Sequence, residues 1–540
     1  MRTRFFALAL ALVASIVFLV DLGGGGITHR DERVYARIAA TMLETGDFLT
    51  PRYLGEPFFN KPPLNYWMIA ASTAALGESP FAARLPSALF AIAGVLFVFR
   101  FGAVAFGPAT GAVAALSVTG NWLAFSSGRL AMMDMPLAVL VFVALGLLLG
   151  GRTVPAFAVM GLAVLEKGPI GLVLPLGSAA FVRLLEKRPR DVRGLATFSG
   201  AAAFMAVAAP WIVAMAAVHG RAFLAFFFGT EHLFAFFGEK GRRTYEAAPY
   251  PLFAILSFGP LAPAVVLGLV RSLRARDSSR RACLVLGAGT LLLFTLAFRK
   301  ADRYFVPAVA PLALLAADAL VSGGRAASLF AFAPGVAISL LLALAAPLAV
   351  HWASAGVAPP FLLVLAALPF VASASLAVLF RRRGFFPASA VALSIGPVAA
   401  LAIGASLFLG PLSHDPGPAL AGALRSAELD DAPLAAETGQ LETRINLLLS
   451  RQAERVEGAG ALAEWLAREG RGGALVLRST FNALPPGAGG RARVLAEDWQ
   501  FARISWRLVR ERGIDALVRE SRVAVLAIER LATDGARFSK

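Results

Sequence analysis

Apolar residues run through this chain in long unbroken blocks rather than in the short alternations that mark strands. The first is FFALALALVASIVFLV (5–20), and similar blocks recur as far as residue 409. Blocks of this kind suit helices that cross a hydrocarbon core about 30 Å thick. They predict thirteen spans: 5–22, 84–106, 109–126, 133–150, 153–165, 168–184, 197–218, 250–270, 282–298, 304–321, 329–350, 360–380 and 387–409. The first reads as a retained helix rather than a cleaved leader, because the apolar run continues to Leu22 without a small-x-small site. Beyond about residue 410 the texture becomes polar. AGALAEWLAREG (459–470) has helical spacing, GALVLRS (473–479) and RVAVLAIER (522–530) read as strands, and GAGGRAR (487–493) reads as a loop. The expected architecture is a polytopic α-helical membrane domain (1–410) followed by a small soluble α/β domain (411–540).

Between the spans, polar residues set the orientation. Lys and Arg gather in RLLEKRPRDVR (183–193), RSLRARDSSRR (271–281) and RRR (381–383), which alternate topology puts on the same side as Arg2 and Arg4. Positive loops face the cytoplasm. The long loops 23–83 and 219–249, and the domain after residue 410, then lie outside. Only one shorter pattern breaks the first of these loops: from Asp31 to Glu44, Val34, Ile38 and Met42 recur every four residues beside Tyr35, Ala39 and Leu43, with Arg33, Arg37, Thr41 and Glu44 opposite. That spacing predicts an amphipathic helix lying in the membrane interface and stopped by Gly46.

Charge changes the picture next. The chain is 58% hydrophobic and only 16% charged, with a formal net charge of +17. The excess sits in membrane-flanking loops, so it reads as attraction to lipid headgroups and not to nucleic acid. The single Cys283 excludes an intrachain disulfide and a cysteine-based metal site. The remaining charged residues of interest all fall on the outer side: Asp31 and Glu32, Lys61 in FFNKPPLNYW, Asp134 in RLAMMDMP, Glu166-Lys167, Glu231-His232, and Lys300, Arg303 and Tyr304 in FRKADRYFVP. Each has an ordinary structural reading. Asp134 suits a helix N-cap, and Lys167 suits a snorkelling anchor. Gathered at one membrane face, mixed charges mark a functional site instead.

In order, Asp31-Glu32-x-x-Tyr-Ala, Gly46-Asp-Phe, Lys61-Pro-Pro-x-x-Tyr-Trp, Asp134-Met-Pro, Lys167-Gly-Pro, Glu231-His232 and Arg303-Tyr-x-x-Pro resemble the integral-membrane glycosyltransferases of the GT-C class. The similarity is to the branch holding lipid A aminoarabinose transferases and protein O-mannosyltransferase relatives, and it runs over nearly the whole chain. It implies inverting transfer of a sugar from a polyprenyl phosphate to a lipid A-like glycolipid, glycan or protein at the outer face of a bacterial inner membrane. By motif matching it implies Asp31, Glu32 and Asp134 as catalytic residues, and Lys61, Lys167, Lys300 and Arg303 as holders of the donor phosphate. Tyr35, Tyr66, Glu231, His232 and Tyr304 complete the expected pocket. Some relatives hold a divalent cation with an acidic residue before the motif lysine and the histidine of Glu-His. Here that acidic position is Asn60, a poor zinc ligand, so no metal is expected at His232 and no cofactor is required.

The chemistry agrees. An activated phosphate leaving group needs no nucleotide fold, but it needs cations placed to receive its charge. A hydroxyl acceptor needs a general base, which a carboxylate such as Asp31 supplies. A transporter or flippase of polyprenyl-linked glycans is the competing reading, and it would need polar residues at both faces and often an inverted repeat. Neither is visible here. The topology is open to a direct check: a reporter active only outside the cytoplasm, fused after Lys540, is expected to be active. Activity of a cytoplasm-only reporter at that position would invert the orientation.

Overall fold

Helix ends fall where the sequence supplies caps. Ser79 accepts from the Ala82 N–H at the start of Pro80–Ala105, Thr197 from Gly200 at Phe198–Leu224, and Asp277 from Arg280 at Ser278–Leu296. The computed structural model describes residues 2–24, 26–27, 29–187, 192, 194–195, 197–233, 250–297, 301–322, 324–353, 360–404, 417–429, 432–437, 453–501 and 522–531. Two compact units emerge, one of residues 1–24, 39–51 and 57–410, the other of 25–38, 52–56 and 411–540.

The first unit is a polytopic helical membrane protein. Among the described residues, seven of its helices are long and apolar enough to cross a membrane, and shorter apolar helices such as Asp134–Leu149 and Ile170–Leu185 accompany them. Two expected spans are broken. The block 109–126 divides into Pro108–Thr119 and Trp122–Gly128, because Asn121 turns its side chain back to accept from the Ala124 N–H and caps a new helix. The block 250–270 divides into Tyr250–Leu256, a short turn Gly259–Leu261 and Ala262–Ser272, where Gly259 takes φ 54° ahead of Pro260. The loop 23–83 also holds a helix that the polar pattern did not suggest, Leu64–Leu76.

With no water inside a bilayer, helices associate through close packing and through polar groups that satisfy one another. Both devices are present. Pro80–Ala105 and Pro108–Thr119 approach so closely that a Cβ on Gly111 would sit 2.6 Å from the Phe99 carbonyl oxygen. The first helix, Arg2–Leu19, leaves terminal carbonyls without intrahelical donors. Buried Arg129 donates to the carbonyls of Val17, Val20 and Asp21 at 2.8–3.0 Å, and Arg84 donates to those of Leu22 and Gly24.

Helix direction separates two ends of this unit. Arg280 bonds Asp318 at 2.9 Å, joining the start of Ser278–Leu296 to the finish of Val306–Val321. The turn Asp302–Phe305 lies at the opposite end of both helices. The Arg271 and Arg280 cluster and the Arg303 turn are therefore a helix length apart, about 24 Å at 1.5 Å per residue. Cys283 is fully buried near the Arg280 end and behaves as a small apolar side chain.

Among the described residues of the second unit a five-stranded mixed sheet runs in the order Glu454–Arg455, Leu434–Ala436, Gly472–Leu477, Arg522–Arg530, Ala492–Phe501. The first two pairings are parallel and the last two antiparallel. Alternation sorts the side chains. Leu475 and Val525 meet Leu420 and Leu424 of helix Gly417–Ser426, whereas Val476, Leu526 and Ile528 meet Leu462 and Trp465 of helix Gly458–Ala467. The expected loop 487–493 is shorter than the sequence suggested. Ala488–Arg491 forms a single turn, and Ala492 already begins a strand.

Helix Arg30–Thr45 forms as expected, and Tyr35, Ile38, Ala39 and Met42 are buried. Its stripe is rotated from the one read off the sequence. Arg33 and Glu32 are buried, while Leu43 is exposed. Burial of the two charged groups on the first turn displaces the apolar edge toward solvent.

Candidate active site

Asp134 anchors the site. It is the first residue of Asp134–Leu149, where a carboxylate is favoured by the helix dipole, and it is 3% exposed. It is not the cap: Met133 holds that position and makes no side-chain cap bond. Freed from capping, its two oxygens take cations from two other elements. Lys167, the last residue of Thr153–Lys167, donates to Oδ1, and Arg303 Nε lies 3.4 Å from Oδ2. Lys167 is thus an inward-turned partner and not a snorkelling anchor. Gly168 allows the turn, adopting φ 83° so that its N–H reaches Val164 and the chain reverses immediately after the lysine.

A second pair joins elements much farther apart in sequence. Lys61, just before helix Leu64–Leu76, donates to Glu231 Oε1, 170 residues away. Glu231 sits on the π-helix Ala225–Leu233, which continues from Phe198–Leu224. Such wide turns are rare and recur at functional sites. Tyr304 links the two pairs. Lys167 Nζ stands 4.8 Å from its ring centroid, and its hydroxyl lies in the field of Lys61, Asp134, Arg303 and Glu231. Phe294 packs against the ring at 5.3 Å between centroids. Lys167 therefore stands against one tyrosine whose hydroxyl also feels two further cations and two carboxylates, at the end of the unit remote from Arg280. Such an arrangement can receive a phosphate, since flexible ammonium groups and a guanidinium re-pair readily with its oxygens.

Asp31, Glu32 and Tyr35 belong to the second unit, where the Asp31 N–H donates to His29 Nδ1 at 3.3 Å. Lys300 and the His232 side chain lie outside the described residues. Tyr66 is in the first unit and fully buried. Other polar groups escaped assignment from sequence. Glu166 is fully buried with neither carboxyl oxygen hydrogen-bonded, and the Asn65 amide is in the same condition. In sequence Glu166 stood out only as one of the outer-side charges beside Lys167, and Asn65 only by lying within the Lys61 motif. His219, an unremarked histidine ending an apolar block, lies 2.9 Å from the Thr50 hydroxyl and 5.1 Å from the Phe59 ring. Among the described residues, no three His, Cys, Asp or Glu side chains converge as a metal set would.

A family model described as dolichyl-phosphate-mannose-protein mannosyltransferase matches residues 60–213, the stretch carrying Lys61, Asp134 and Lys167. Two crystal structures of ArnT from Cupriavidus metallidurans share the architecture. The apo form superposes with a TM-score of 0.72 over 98% of each chain at 21% identity. The form bound to undecaprenyl phosphate gives 0.70 over 96% of this chain and 97% of the other, at 20% identity. In class, then, this is a polytopic membrane protein with the GT-C glycosyltransferase fold. Within that class it resembles the lipid A aminoarabinose transferases. The undecaprenyl phosphate-alpha-4-amino-4-deoxy-L-arabinose arabinosyl transferase of Pseudomonas aeruginosa (strain LESB58) is 32% identical over 361 residues, 63% of this chain and 64% of the relative. An uncharacterized protein of Aquifex aeolicus (strain VF5) is 27% identical over 320 residues, 57% of this chain and 62% of that one. The chain thus spans just under two thirds of the length of these curated relatives.

Removing the anchor tests the arrangement. Asp134→Asn keeps the volume but leaves Lys167 and Arg303 without their shared counter-charge. Breaking a buried pair in this way costs roughly 3–5 kcal/mol. A thermal melt in detergent should fall well below that of the unaltered protein, and an unchanged melt would show that Asp134 does not hold the two cations.

Proposed function

We propose that this protein is an inverting glycosyltransferase that moves a sugar from a polyprenyl-phosphate donor to an acceptor at the outer face of a bacterial inner membrane. The observation that carries this reading is the gathering of Lys61, Lys167 and Arg303 around Tyr304, at one end of apolar helices and away from the Arg280 cluster. Similarity to proteins named for undecaprenyl phosphate supports it. In the proposed topology thirteen spans carry the membrane domain, helix Arg30–Thr45 lies in the interface, and residues 411–540 form an extracytoplasmic α/β domain.

The reaction balances as follows. An acceptor oxygen forms a bond to the anomeric carbon as the bond from that carbon to the phosphate oxygen breaks. The electron pair leaves with the phosphate, so a singly charged diester becomes a monoester approaching two negative charges. Lys61, Lys167 and Arg303 receive that charge, and stabilising it as it develops is where catalytic benefit is greatest. Asp31 takes the proton of a hydroxyl acceptor, a role that rests on its match to the acidic motif. Asp134 positions two of the cations. Tyr66, Tyr304 and Glu231 line the pocket, together with His232. Lys300 is proposed as a further phosphate contact. The acceptor is a lipid A-like glycolipid, a glycan or a protein, and no resident cofactor is needed.

Two experiments examine these roles. Lys61→Ala and Arg303→Ala should each raise the donor KM while the protein still inserts and folds; unchanged kinetics in both would remove them from the phosphate site. Asp31→Asn keeps shape and hydrogen bonding but not basicity, so turnover with a hydroxyl acceptor should fall about 10²–10⁴-fold while donor binding survives. Turnover close to that of the unaltered protein would end the general-base assignment.

A further inference from the structure

The cations of the site are occupied before any donor arrives, and the two occupants differ. Asp134 is rigidly placed: it opens a helix, is almost fully buried, and holds two cations at once. Glu231 pairs with Lys61 from a π-helix nine residues long that follows a break at Gly220, where φ is 55° and ψ −137°. The side chains of this second pair are 20% and 9% exposed, against 15% and 3% for Lys167 and Asp134. A phosphate entering the cluster therefore meets one carboxylate built into the frame and one on an irregular, more accessible segment.

We propose that Glu231 is an exchangeable counter-ion for Lys61: the donor phosphate displaces it, and its return expels the polyprenyl phosphate product. This rests on the donor reading given above. The direction follows from the charge change in the reaction. A diester bearing one negative charge competes with Glu231 on equal terms for the lysine. After transfer the monoester binds cations more strongly, so a site without a competing carboxylate would retain its product. An intramolecular carboxylate has a high effective concentration at Lys61, and it re-pairs as soon as the phosphate loosens. Glu231 is in this sense a positioning residue, acting on the phosphate through Lys61.

Direct binding of undecaprenyl phosphate to the full chain in detergent tests the exchange. Glu231→Gln, which keeps size and removes charge, should bind about tenfold tighter, within the ordinary range of coupling between competing ligands. Lys61→Ala should bind more weakly, and the double variant should match Lys61→Ala, because the effect of Glu231 passes through the lysine. In turnover, Glu231→Gln should lower donor KM and kcat together and strengthen inhibition by undecaprenyl phosphate. Should the Gln variant fold poorly, Glu231→Asp retains the charge with a shorter reach and should tighten binding to a lesser degree. Equal or weaker binding by the Glu231 variants, alongside weakened binding by Lys61→Ala, overturns the exchange and leaves the donor reading standing. Binding that Lys61→Ala does not alter removes the lysine from the phosphate site and overturns both.

Discussion

One buried carboxylate organises the candidate site. Asp134 joins the start of one helix, the end of another and the turn before a third. Its burial makes the arrangement demanding. A charge withdrawn from water is tolerated only when paired, and here the pairing comes from cations whose own chains are equally constrained. Lys167 is fixed by the left-handed turn at Gly168, and Arg303 by a short turn in which its N–H donates to Asp302. The cations are consequently held ready, with little reorganisation left for a substrate to impose.

The membrane sets the conditions for this frame. Apolar side chains gain nothing from facing one another instead of lipid, so association must come from close contact and internal polar satisfaction. The contact between Gly111 and the Phe99 carbonyl region supplies the first, and the arginines on the carbonyls of the first helix supply the second. Arg129 is instructive because it looks in sequence like an ordinary loop charge. In the fold it completes a helix terminus that has no water to finish it.

How far the sequence disclosed all this depends on what carries the signal. Long apolar blocks are legible because lipid imposes a length, and charges at Lys61, Asp134, Lys167 and Arg303 are legible because an apolar chain makes them conspicuous. Breaks within blocks are less legible. Asn121 and the Gly259-Pro260 pair are local features whose effect on a run of apolar residues depends on neighbouring helices. The Leu434–Ala436 strand was invisible for another reason, since three apolar residues are too few to show a period and become a strand by pairing with Glu454–Arg455 on one side and Gly472–Leu477 on the other. Pairings across the chain were beyond reach. Nothing local to Lys61 distinguishes Glu231 from other carboxylates, and the sequence shows Glu166 as an outer-side charge but not that its carboxyl group is buried without a hydrogen bond. The rotated stripe of Arg30–Thr45 belongs here too, because periodicity names the apolar residues but cannot tell that Glu32 and Arg33 are buried as well.

Charge balance connects the frame to the chemistry. Around Tyr304 the described ion pairs set Lys61, Lys167 and Arg303 against Asp134 and Glu231, three cations to two carboxylates. Under the proposed reaction a singly charged diester neutralises that excess on entry, which favours binding without trapping the donor. Transfer adds about one further negative charge to the departing phosphate. The same five side chains then face an anion whose charge exceeds their own net charge, and one of them must change partner or the product must leave. A site with fewer carboxylates would hold the more negative product longer. The acidic residues among the cations therefore limit ground-state affinity at both ends of the reaction, so that cationic stabilisation is concentrated on the step where charge moves.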